Sequence, residues 1–336
     1  MSIKYGNVED VALPLAVFLA HDNYDHNTDP NTISVTTLLK PLKQIILPGR
    51  IHPGEGLIEL TSMVKSRIGT AIHDAIDKAW SHNNYIAAMK SLGIPEKVID
   101  KIRINPDSET AKNPDIIPIY LEQRLTKKIG NWTITGKFDF INAGRVGDFK
   151  STSVWTYKNQ VNNNKYIEQG SLYRWLNPEI ITQDVMDIHY IFTNWSASSI
   201  ATDPTYPPRP IHTQSFNLMS LAQTEQFIHN KLTLINRYWD ADEADIPQCT
   251  DEELWRSEPK YKYYKNGDIN SKRSTKNFDT AQDAAFYMST TGNVVGAIKE
   301  VPGEVTACKY CPAALICSQK DLLIENGQLV MFDYKK

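Results

Sequence analysis

The sequence predicts an α/β protein in which one mixed β-sheet is flanked by helices, and three observations carry this. Residues 61–80 repeat apolar side chains at i, i+4, residues 119–151 switch to alternation, and helical spacing returns before an apolar run at 185–195. A helix, three strands, a helix and a strand in that order suit a single covered sheet.

At 336 residues, 41% hydrophobic and 22% charged, the chain can bury a sizeable core and hold one large domain or two ordinary ones. Its formal net charge of −3 excludes a histone-like polycation but not a nucleic-acid enzyme with a carboxylate-rich site. No apolar run approaches the ~20 residues that span a bilayer. The start "MSIKYGNVED" lacks the basic and apolar stretches of a secretory signal. A cytoplasmic protein without a membrane partner is the expectation.

Residues 1–32, polar and rich in Asn and Asp, read as a loosely held lead-in. The core region, 33–245, opens with "ISVTTLLKPLKQIILPGR", apolar and basic and broken by Pro41 and Pro48. Its lysines either approach a phosphate backbone or belong to an amphipathic entry segment. In "TSMVKSRIGTAIHDAIDKAW" the residues Val64, Ile68, Ile72, Ile76 and Ala79 form a helical stripe, with Thr61 or Ser62 as its cap. A shorter helix is expected around 94–102, followed by a loop to Pro118. Ile119–Leu125, Trp132–Ile141 and Arg145–Ser151 alternate as strands, the last two joined by the tight turn "NAGR". Residues 162–178 read as a helix, Val185–Trp195 as a buried strand, the proline-rich 202–213 as a loop, and Leu218–Tyr238 as a long amphipathic helix. From 246 to 336 the texture turns aromatic, basic and cysteine-bearing, a C-terminal extension with a short helix near Thr280–Met288.

In "GRVGDFKSTS", Asp148 and Lys150 share one face of a strand while Phe149 turns to the other. Alone, such a pair is an ordinary surface ion pair. With Ala143-Gly144 as a two-residue loop, however, Asp139 of "GKFDF" falls opposite Asp148. Directly opposed residues have Cβ atoms about 4.5–5.5 Å apart, so two carboxylates there repel unless a cation such as Mg²⁺ is shared between them. The same register sets Lys137 against Lys150, which a flat ladder does not explain and which calls for a bulge or a divergence of the strands. Beside a metal, Lys150 would orient or deprotonate a water, or hold charge on a phosphoryl group. Glu122 in "YLEQRL" adds an acid from the preceding strand. His73, mid-helix and flanking the apolar stripe, offers an imidazole that favours Mn²⁺ over Mg²⁺.

His73 in "GTAIHDAI", Glu122, Asp139, "DFK" at 148–150 and Gln169/Tyr173 in "EQGSLYRWL" follow one another as they do in a known group. In that order they resemble the RecB-like PD-(D/E)XK nucleases, which include lambda-type phage exonucleases and CRISPR-associated exonucleases. The match runs from about Ile33 to Trp195. The resemblance implies a restriction-endonuclease-like fold and hydrolysis of DNA phosphodiesters by metal-activated water. By the same resemblance His73, Asp139, Asp148 and the backbone carbonyl of Phe149 would bind Mg²⁺ or Mn²⁺. Lys150 would be the catalytic lysine, with Glu122, Asp139 and Asp148 the catalytic acids, and Gln169 and Tyr173 would contact DNA.

No cysteine precedes Cys249, whereas Cys308, Cys311 and Cys317 fall within ten residues. Without an export signal this clustering points to metal rather than to disulfides. C-x2-C-x5-C plus one distant Cys suits tetrahedral Zn²⁺ or an iron–sulfur cluster. The pattern resembles the [4Fe–4S] staple of some RecB-like nucleases, although there the distant Cys precedes the nuclease motifs. It is more similar to phage and prophage relatives with a "P-x-C-T…E-x-W…C-x-x-C" tail. Between these cysteines lies "YKYYKNGDINSKRSTK", a hairpin signal at Asn266-Gly267. Its Tyr261, Tyr263 and Tyr264 alternate with Lys262, Lys265, Lys272, Arg273 and Lys276, a mixture of rings and cations that suits either single-stranded DNA or ordinary packing.

The expectation is therefore a metal-dependent DNA exonuclease of phage or bacterial recombination or processing. It would work in the cytoplasm, beside a single-strand annealing or other recombination protein, and the resemblance leaves room for a homo-oligomer. The alternative is a catalytically silent DNA-binding or assembly subunit that keeps the fold and the cysteine-bound metal.

Overall fold

The computed structural model describes residues 5–21, 29, 31–52 and 58–331. Strands and helices mix throughout, an α/β architecture. Two compact units divide the chain: the described residues of 5–40 and 59–233, and those of 41–58 and 234–336.

In the first unit a six-stranded mixed sheet runs in the order Ile211–Asn217, Val185–Phe192, Arg145–Thr152, Phe140–Asn142, Ile117–Leu121, Ile102–Ile104. Arg145–Thr152 lies parallel to Val185–Phe192 and antiparallel to Phe140–Asn142. Asn142 pairs with Arg145 as the turn dictates. Ala143 and Gly144 both have positive φ, 50° and 74°, the mirror-image turn that matches the twist of a hairpin. A Cβ on Gly144 would also come within 2.0 Å of Thr182 Oγ1.

The expected single sheet is in fact two. Thr32–Ser34, Trp132–Lys137 and Arg124–Ile129 form a separate three-stranded sheet. Two segments that read as unbroken strands therefore divide, Ile119–Leu125 at Glu122 and Trp132–Ile141 at Phe138-Asp139. Apolar and polar residues alternate straight through the second break, so periodicity does not reveal it, whereas the polar run Glu122-Gln123-Arg124 interrupts the pattern at the first. The division also removes the clash of lysines. Lys137 pairs with Arg124 in the small sheet and does not face Lys150.

The helix Val64–Trp80 forms as expected, but its inward face differs from the stripe. Val64 and Ile68 are 39% and 44% exposed, whereas Arg67 is buried and donates from Nε to the Leu19 carbonyl at 2.9 Å. Neither Thr61 nor Ser62 caps it, because a 3₁₀ turn, Leu60–Met63, leads in and Ser62 Oγ donates instead to the Glu59 carbonyl. Leu19 belongs to the helix Leu13–Ala20, so the described part of the lead-in is ordered rather than loose; residues 1–4, 22–28 and 30 of it lie outside the described residues. The helix expected around 94–102 is only Glu96–Ile99, and Ile102 already begins a strand.

Asn163–Leu176 covers the face of the sheet formed by Met186, Ile188, Tyr190 and Phe192, all buried. Gly170 permits the approach, since a Cβ there would meet Met186 Sδ at 2.5 Å. The proline-rich segment ends earlier than expected. Ile211–Asn217 is an antiparallel edge strand on Val185–Phe192, a position at which the three preceding prolines Pro207, Pro208 and Pro210 can stand clear of the ladder.

In the second unit, Lys276–Phe278, Lys260–Tyr264 and Ala297–Val301 form an antiparallel sheet. The helix Ala281–Thr290 is capped by Thr280, whose Oγ1 accepts from the Asp283 N–H at 3.1 Å. Asn266-Gly267 does not close a two-residue hairpin, because Tyr263 already pairs with Lys276 across a long connection. Tyr263 and Tyr264 are buried core residues rather than exposed stacking rings. Lys43 is also buried and is paired with Glu243 Oε1 at 2.5 Å, so it is not free for a phosphate backbone. Among the described residues no helix is long and apolar enough to cross a membrane.

Candidate functional site

The two breaks between sheets lie side by side. The chain leaves the six-stranded sheet after Leu121 and returns to it at Phe140. Glu122 sits at the first crossing, with φ at +50°, a conformation that a non-glycine residue rarely holds without a local constraint. Its N–H donates to the carbonyl of Asp139, at the second crossing, over 3.2 Å. Both acids thus project where the two sheets part.

Antiparallel pairing of Arg145–Thr152 with Phe140–Asn142 ends at Gly147. Beyond it the Phe149 N–H, released from the ladder, donates to Asp139 Oδ2 at 3.0 Å. His73 reaches the same place from its helix. Its Nδ1 is 3.3 Å from Asp139 Oδ2 and its Nε2 is 2.8 Å from the Phe149 carbonyl oxygen. His73, Glu122 and Asp139 each bring a ligand atom within 4.8 Å of the others. Among the described residues they are the one trio of His, Cys, Asp or Glu to do so.

Asp148 lies next to this trio but turns toward the Asn163–Leu176 helix. Gln169 Nε2 donates to Asp148 Oδ1 at 2.9 Å and is 3.0 Å from the Tyr173 hydroxyl. Lys150 Nζ is 2.5 Å from Asp148 Oδ2 as an ion pair. The ammonium and the carboxylate compensate each other in this buried place. Lys150 also stands 5.8 Å above the centre of the Tyr166 ring. Tyr173 is only 3% exposed, and Gln169 is turned onto Asp148. The pair expected to touch DNA braces a carboxylate, because one helical turn places both on the face that packs against the sheet.

The electrostatics separate the acids. Burial raises the pKa of Asp148 despite the opposing charge of Lys150. For Asp139 burial acts the same way, but the hydrogen bond and charge of His73 outweigh it and the pKa is lowered. His73 is raised by its hydrogen bond to Asp139, against the effect of burial. Burial raises Glu122, partly offset by Lys137, whose Nζ is 2.5 Å from Glu122 Oε2. Burial disfavours the charge on Lys150, yet Asp148 more than compensates and its pKa is raised, so it stays an ammonium at neutral pH. Lys137 had no local signal in the sequence, since its partner lies on another strand of a sheet that alternation did not separate.

These donors fit a hard divalent cation: carboxylate and carbonyl oxygens with one imidazole.

The four cysteines gather in the second unit, and all are free thiols. Cys308 packs with Leu254, Val305, Leu323 and Leu329, and Cys249 abuts this cluster. Residue 249 is tied to the helix Ser318–Glu325 by two bonds through Gln319. Gln319 Oε1 accepts from the Cys249 N–H at 2.8 Å and Nε2 donates to the Cys249 carbonyl at 2.9 Å. Burial, and then the charges of Glu253 and the other three thiols, push Cys249 up to about 12. Cys308 rises to about 11, again chiefly through burial. Both groups are therefore protonated thiols at neutral pH. Gln319 escaped sequence reasoning because a lone Gln beside a cysteine motif carries no pattern.

No family model and no curated protein matches the chain. A solved structure titled "Crystal structure of SSO0001" is similar at 14% identity, covering 68% of this chain and 89% of that one, with a TM-score of 0.39.

Proposed function

We propose that the chain is a metal-dependent DNA nuclease of the restriction-endonuclease-like PD-(D/E)XK type, working as an exonuclease. The observation that carries the reading is the meeting of His73, Glu122, Asp139 and the Phe149 carbonyl at the parting of two sheets, with the Asp148–Lys150 pair on the adjoining turn of strand.

His73, Asp139, Asp148 and the Phe149 carbonyl, with Glu122 beside them, would hold Mg²⁺ or Mn²⁺. Such an ion supplies Lewis acidity toward a phosphoryl oxygen and lowers the pKa of water. Lys150, protonated, lies where it can hold the charge that develops on a phosphate, and this suits it better to electrostatic stabilisation than to proton abstraction. Gln169 and Tyr173 are positioning residues that fix the plane of Asp148. His73, with both ring nitrogens facing oxygens, gives up a proton before it can serve as a ligand.

The four cysteines would hold a [4Fe–4S] cluster or Zn²⁺. Its role in this reading is structural, tying residue 249 to the C-terminal cysteines.

The test is cleavage of end-labelled linear DNA and of covalently closed circular DNA with Mg²⁺ or Mn²⁺. Digestion of the linear form alone, lost in Asp148→Asn, supports an exonuclease. An inactive wild type that still binds DNA supports the silent-subunit alternative.

A further inference from the structure

We propose that the face of the small sheet bearing Lys262 and Lys299 binds the phosphate backbone of nucleic acid. This deepens the function proposed above, and rests on it, by placing a second DNA contact outside the metal site.

Lys262 and Lys299 are direct partners across the antiparallel ladder. Directly opposed residues have Cβ atoms about 4.5–5.5 Å apart, and like charges there are destabilising. Among the described residues no carboxylate pairs with either lysine. The nearby acid Asp279 is taken by Lys260 at 2.5 Å. On the other side Lys262 pairs with Asn277, so the row across all three strands is Asn, Lys, Lys.

The opposite face of this sheet is already covered. Tyr263 and Phe278 pack on Tyr287 of the helix Ala281–Thr290, with ring centroids 5.4 and 5.2 Å apart, and Lys276 sits 4.3 Å over the same Tyr287 ring. On the lysine face Tyr264 is buried, while Lys262 is half-buried and Lys299 exposed. Lys299 Nζ lies 3.5 Å from the Ile269 carbonyl, so the connection bearing Lys272 and Arg273 borders it. That connection is pinned by Asn293 Nδ2, which donates to the Lys265 carbonyl at 2.6 Å, and by Gly267, where a Cβ would meet the Val295 carbonyl at 2.6 Å.

A fixed, uncompensated row of cations in a chain of net charge −3 suits an external polyanion. With Tyr263 and Tyr264 buried, the contact is to phosphates rather than to stacked bases. Exposed Val294 and Val295 make an anionic bilayer the competing partner.

The test is binding of a labelled oligothymidylate by the full chain in EDTA across a salt series, a readout that does not depend on cleavage. Two lost contacts to a single strand should lower the salt slope of K262A/K299A by about 1.4, or about 25-fold in affinity near 0.1 M salt. Lys299→Glu places an opposite charge against Lys262 and should melt at or above the wild type while losing the same binding. Wild-type affinity and slope in both variants overturn the proposal. So does loss of binding to phosphatidylserine vesicles with oligonucleotide affinity intact. Loss of cleavage in Asp148→Asn with binding in EDTA unchanged separates this surface from the metal site.

Discussion

The Glu122 N–H and the Asp139 carbonyl meet over 3.2 Å between two sheets, joining the two points at which the chain crosses from one to the other. Each acid is thereby placed by backbone geometry rather than by a regular ladder.

Asp148→Asn should abolish cleavage and, in metal-free protein, melt lower than the wild type near neutral pH, because it strands the buried Lys150 ammonium that Asp148 compensates. Burial raises the pKa of Asp148, so as the pH falls the wild-type carboxyl takes up a proton and loses the same pair. The difference between the two proteins should therefore shrink toward zero in acid. Thermal melts in EDTA at several pH values give the profile, and a variant that melts above the wild type at neutral pH would contradict it.

Lys150→Met should lower the single-turnover cleavage rate by about 10²–10³, the cost of losing one charge-stabilising donor. Calorimetric titration with Mn²⁺ should show binding retained, because Lys150 offers no ligand. Loss of both together would remove Lys150 from the chemistry.

Tyr173→Phe deletes the hydroxyl 3.0 Å from Gln169 Nε2 and leaves the ring in its buried site. Loss of that hydrogen bond should cost about 0.5–1.5 kcal/mol. The effect should appear in kcat with KM for DNA nearly unchanged, as fits a brace on Asp148. A rise in KM alone would point instead to direct DNA contact.

Gln319→Leu removes both bonds to residue 249 and should cost about 1–3 kcal/mol in stability. Cys308→Ser should in addition release the metal. Iron and zinc analysis with a visible spectrum on anaerobically purified protein reads the outcome. Full metal content in Cys308→Ser would exclude that thiol as a ligand.

Much of this was legible because hairpin chemistry is local. Ala143-Gly144 fixed the pairing of Asn142 with Arg145, and with it the approach of Asp139 to Phe149. The helix carrying His73 was equally plain from its spacing. What stayed hidden depended on long-range pairing. Nothing near Glu122 announces a left-handed residue at a strand end, and alternation runs unbroken through Phe138. Arg67 turns inward against its polarity because a carbonyl of another helix awaits it. The inward turn of Gln169 could not be read from a motif that is equally compatible with an exposed helix face.

The shared hinge at Glu122 and Asp139 has a consequence for how the molecule would fail on heating. Fraying of the three-stranded sheet would pull both acids out of place while the six-stranded sheet stayed intact. Activity should thus vanish before most of the fold does, and amide exchange at Arg124–Ile129 should forecast inactivation better than global melting.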